Sequence, residues 1–147
     1  MKTLLTILII ILALPNESFS QDNKFQITEY HDSLRCNINI LGKLYDTMDN
    51  PESKDILNFL FTFDESCNNH IEYSQFSNEL LFELLVEHTE SLIVLLSNEN
   101  INIDLILKEL STPINDKFKI EYLLKKVENI DICIIKNKVK EALLEIP

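Results

Sequence analysis

Three features of the sequence predict an all-α fold. Apolar residues recur at three- and four-residue spacing, Gly42 is the only glycine, and clusters of Asp, Asn, Ser and Pro separate the apolar runs. Hairpins and sandwiches draw on turn glycines that this chain lacks. The helices expected are short, mostly about 9 to 15 residues, and tight connections make neighbours antiparallel. Two architectures satisfy this: an irregular helical bundle, or stacked helical hairpins resembling HEAT or armadillo arrays, although no residue motif repeats at a fixed period.

Ahead of the helical region stands MKTLLTILIIILALPNESFS, one Lys followed by an apolar run from Leu4 to Leu14 and then a polar stretch. This is the pattern of a cleavable secretory signal, and the run is shorter than a membrane span. Ser18 and Ser20 place the expected cut between Ser20 and Gln21, which leaves residues 21–147 as one all-helical domain of 127 residues, secreted or periplasmic. No stable membrane insertion is expected after cleavage.

The first helix is expected over Glu29–Met48, where Leu34, Ile38, Leu41, Tyr45 and Met48 form a stripe. Asn50 is a cap for a second helix that begins at Pro51 and carries Ile56, Leu57, Leu60, Phe61 and Phe63. A third, capped by Ser74 or Ser77, runs to about Glu87 and is apolar around most of its circumference, as expected of a helix packed on several sides. Thr89-Glu90-Ser91 breaks or bends it before Leu92–Leu96. Ile103–Leu110 follows the turn at Asn98–Asn102; Phe118–Val127 follows Pro113, with Asn115 or Asp116 as cap. The last helix starts at Asp131 and carries Ile132, Ile135, Val139, Ala142, Leu143 and Ile146. Hairpin pairs are expected at 51–87, 89–110 and 117–146.

Charge narrows the function. The whole chain has a net charge of −11, and cleavage removes Lys2 and Glu17 together, so the value persists. Nucleic acid needs a positive surface and is not an expected partner. Between Lys54 and Lys108 there is no Lys or Arg, while ten Asp and Glu fall there. Glu79, Glu83 and Glu87 line up at helix spacing with no lysine near in sequence, and Glu72 and Glu90 can extend the row. A protein partner of basic character suits that face, as for an immunity or inhibitor protein. Glycine-dependent phosphate loops cannot form, and His31, His70 and His88 stand in no nucleophile arrangement, so no enzyme and no cofactor is expected.

One stretch invites a different chemistry. In DESCNNHIEYSQ, Asp64, Ser66, Asn68, the His70 carbonyl and Gln75 occupy positions 1, 3, 5, 7 and 12 of a calcium loop, with Leu60, Phe63 and Phe76 at flanking apolar positions. The stretch resembles an EF-hand, and the resemblance implies a weak calcium site. It departs at Asn69, where glycine is usual, and at Gln75, which offers one neutral oxygen instead of a bidentate carboxylate. Cys67 and His70, with Asp64 or Glu72, supply at most part of a zinc set. Of the cysteines of the mature chain, Cys36, Cys67 and Cys133, one pair can form a disulfide, and the sequence leaves all three pairings open.

Overall fold

The computed structural model describes residues 33–131 and 133–147, apart from the side chains of Asn68 and Cys133. The segment read as a secretory signal, its expected cut and His31 lie outside the described residues. Helices α1 (Ile38–Asp46), α2 (Ser53–Leu60), α3 (Ile71–Glu87), α4 (Thr89–Leu95), α5 (Ile103–Ser111), α6 (Ile120–Glu128) and α7 (Cys133–Leu144) are joined by short connections, with a 3-10 turn at Glu65–Asn69 and no strand among the described residues.

The architecture is an irregular helical bundle centred on α3. Leu80, Leu81, Phe82, Leu84 and Leu85 of that helix are completely buried, because it packs on α1, α4, α5 and α6. A stacked array would confine each helical pair to its neighbours. Here only the pair at 117–146 is a main packing: α6 lies along α7, whereas α2 packs chiefly on α1 and α4, and α5 on α3 and α7. The expected hairpins at 51–87 and 89–110 are thus replaced by crossings between helices distant in sequence. The cause is the all-round apolarity of α3, which one partner helix cannot cover.

Several boundaries differ from expectation for local reasons. The helix expected over Glu29–Met48 is interrupted at Cys36, whose φ of 50° lies in the left-handed region. The Cys36 N–H donates to the Thr62 carbonyl at 3.0 Å, and α1 restarts under Asn37, whose side chain accepts from the Asn39 N–H at 3.1 Å. The buried face of α1 is Leu41 and Leu44; Ile38 and Tyr45, placed on the expected stripe, are exposed. The cap of α2 is Glu52, not Asn50. Helix α3 starts at Ile71, ahead of both candidate caps, and the Ser77 hydroxyl donates back to the Ser74 carbonyl instead. A break at His88 separates α3 from α4.

Buried polar side chains fix the packing. Asn78 is buried in the middle of the bundle, where its Nδ2 donates to the Glu109 carbonyl (3.1 Å) and carboxylate (3.1 Å) and to the Thr112 carbonyl (3.3 Å). Its Oδ1 accepts from the Ile114 N–H at 3.0 Å. One side chain of α3 thus holds the α5–α6 connection in place. Thr62 donates to the Phe59 carbonyl and so accepts from Tyr73, both at 2.7 Å. Burial pushes the Tyr73 phenol up to about 12.

Candidate functional site

In the 64–75 loop the Asp64 carboxylate and the His70 carbonyl are both engaged by donors of the protein itself. Asp64 Oδ1 accepts from the Ser66 N–H (2.9 Å) and hydroxyl (2.6 Å), and Oδ2 faces Arg35 Nε at 3.4 Å. The Ser66 hydrogen bonds, helped by Arg35, hold the Asp64 carboxyl below its ordinary value. This is a cap for the 3-10 turn, and it uses the carboxylate for the backbone. The His70 carbonyl accepts from the Ser74 N–H at 2.9 Å and so begins the α3 ladder. Gln75 is exposed one turn into that helix.

The zinc grouping is ruled out by chemistry: Cys67 is bonded to Cys36 (S–S 2.09 Å, Cα–Cα 5.4 Å), so it has no thiolate to offer. No group of three or more His, Cys, Asp or Glu side chains among the described residues is placed to hold a metal. His70 is exposed, while His88 is half-buried with Nε2 bonded to the Met48 carbonyl at 2.6 Å.

The acidic row is only partly free. Lys117, entering from the connection before α6, places Nζ 2.5 Å from Glu79 and 3.1 Å from Glu83, and lies over the Phe118 ring at 4.9 Å. Phe118 in turn stacks on Phe82 of α3, ring centroids 5.1 Å apart. The two carboxylates raise the Lys117 pKa and keep it charged. Sequence reasoning found no lysine to relieve this row because Lys117 lies 34 residues from Glu83 and 38 from Glu79. Phe118 beside Lys117 is the one signal that could have found it, an aromatic anchor that docks the lysine against α3.

The break at His88 puts Glu90 on α4, so the continuous row ends at Glu87. Glu72, Glu87 and Glu90 are exposed, as are Asp46, Asp49, Glu65, Glu99 and Asp104. None of these eight makes an ion pair among the described residues. Several cations near this surface are held inside the molecule, while Lys54 and Lys108 at the ends of the base-free stretch are exposed with no ion pair among the described residues. Lys43 pairs with buried Asp55 at 2.6 Å, Arg35 faces Asp64, and Lys126 Nζ donates to the Val86 carbonyl at the end of α3. That last contact places positive charge where the helix leaves its carbonyls unpaired.

The class defined by this geometry is an all-helical bundle with a disulfide-tied N-terminal corner and a negative outer surface. No protein-family model, no curated protein and no solved structure matches the chain.

Proposed function

We propose that this is an exported binding protein, of the immunity or inhibitor kind, whose acidic surface receives a basic protein partner. The observation that carries the reading is the group of exposed acids, without ion pairs among the described residues, in the base-free stretch between Lys54 and Lys108. Arg35, Lys43, Lys117 and Lys126 each have a partner within the molecule, whereas Glu72, Glu87 and Glu90 face solvent with none among the described residues. Unpaired surface charge of one sign speeds encounter with a partner of the opposite sign and sets its orientation. The reading assigns no reaction and no cofactor to the chain. A leader at residues 1–20 would deliver it outside the cytoplasm.

The test is capture by the tagged full chain at low salt from the compartment in which it accumulates, alongside the variant Glu72→Lys/Glu87→Lys/Glu90→Lys. Retention of a basic protein by the native chain, its release by rising salt and its loss from the triple variant are expected. Identical retained proteins with both chains would overturn the reading.

A further inference from the structure

Helix α1 carries a gap in its outer surface that the acidic-surface reading does not use. Gly42 sits between Ile38, one turn before it, and Tyr45, one turn after it, on the same side of the helix. Both flanking side chains are exposed, 42% and 57%. A Cβ added at Gly42 would meet nothing within 4 Å. A glycine inside a helix usually lets another element approach closely. Here the space it leaves opens outward.

Helix α3 packs beside α1. The Cys36–Cys67 bond ties the starts of α1 and α3, and the Met48–His88 hydrogen bond ties their ends, so the two helices run side by side in one sense. Phe76 of α3 meets Tyr45 edge-on, with ring centroids 5.9 Å apart. Acids flank the pair, Asp46 one turn beyond Gly42 and Glu72 one turn before Phe76, while the neighbouring Lys43 is held by Asp55 at 2.6 Å. Asp46 and Glu72 are exposed and make no ion pair among the described residues.

We infer that the notch formed by Ile38, Gly42, Tyr45 and Phe76 is the anchor point for the partner, taking one branched apolar side chain from a basic segment of a second protein. Charge chooses the occupant. An apolar anchor with lysine or arginine one turn to either side would fill the gap while its cations meet Asp46 and Glu72. Acidic or neutral segments would gain only the apolar contact. The same charge complementarity disfavours a second copy of this chain, whose net charge is −11. This inference rests on the acidic-surface reading and adds the site of contact to it.

Two fluorescein-labelled helical peptides test the inference. One carries a leucine with lysines four residues before and after; the other has serine in place of leucine. The leucine peptide should bind the full chain about ten-fold more tightly, or better, since burying that side chain is worth a factor of this order. Gly42→Leu fills the notch from a good helix former and should erase the difference while leaving the serine peptide's affinity unchanged. Melting temperature confirms that this variant folds. Glu72→Lys should weaken both peptides.

Equal affinity for the two peptides, or a leucine preference that survives Gly42→Leu, would overturn the notch. The acidic-surface reading would stand in that case if charge reversal still weakened both peptides, and would fall with it if charge reversal changed neither. Self-association seen in sedimentation and abolished by Gly42→Leu would assign the notch to a second copy and overturn the basic partner.

Discussion

Asn78 shows how much a single side chain decides in this molecule. Its amide touches Glu109 at the end of α5 and Thr112 and Ile114 in the connection after it, more than 30 positions away, from a site 1% exposed. Asn78→Ala should leave the Ile114 N–H and the Thr112 carbonyl without the partners Asn78 gives them, and cost about 2–3 kcal/mol, read from urea denaturation. Asp64 makes a prediction of pH dependence. Its carboxyl is lowered from 3.8 by the Ser66 hydroxyl, the Ser66 N–H and Arg35. A depressed folded value means the stabilisation is present above the unfolded pKa and is lost as pH falls through the folded one. Stability should therefore fall on acidification below about pH 4, and Asp64→Asn should flatten that part of the profile. The cap donors that lower this pKa also occupy the carboxylate, so millimolar calcium should leave the melting temperature of the native chain unchanged; an increase would show the loop reorganising around the ion.

At the scale of elements, the N-terminal corner depends on one covalent bond. Cys36 is half-buried with a left-handed backbone, and its bond to Cys67 closes a loop with a sequence separation of 31. Loop-closure entropy for that length corresponds to about 3–4 kcal/mol. Replacing both cysteines by serine should lower stability by that order. Hydrogen exchange should then rise first in α1 and in the 3-10 turn, while α6 and α7, which pack mainly on each other and on α5, α3 and α4, keep their protection. The elements also show what a sequence reveals locally. Helix α5 was legible, Asn102 capping it through Leu105 N–H at 3.3 Å, because capping is a contact between near neighbours. The start of α1 was not, since its interruption depends on the Thr62 carbonyl and on Cys67, both distant in sequence. The onset of α3 escaped for a related reason: Ser74 and Ser77 read as caps, yet their hydroxyls bond backward inside a helix already under way.

For the molecule as a whole, export and charge make the strongest joint prediction. Mass spectrometry of the protein recovered from outside the cytoplasm should show a chain beginning at Gln21; a chain that retains Met1 would remove the exported reading. The candidate surface was half legible. Glu72, Glu87 and Glu90 emerge exposed and unpaired among the described residues, while Glu79 and Glu83 share Lys117. A lysine on the other side of the bundle's connections cannot be assigned to a glutamate by spacing alone. Tyr45 was misassigned to the core for an analogous reason: a helix has two edges beside its buried face, and only the neighbouring helix determines which edge is covered.

Local chemistry in the sequence determined the helical character of this protein, most of its turns, its net charge and the absence of glycine-dependent phosphate sites, because each depends on residues within a turn or two of one another. Tertiary structure alone decided that α3 is the hub, that Cys36 pairs with Cys67, that Lys117 neutralises part of the acidic row, and that Gly42 faces open space. Those outcomes depend on which apolar faces meet, and packing brings together residues whose separation along the chain carries no record of the contact.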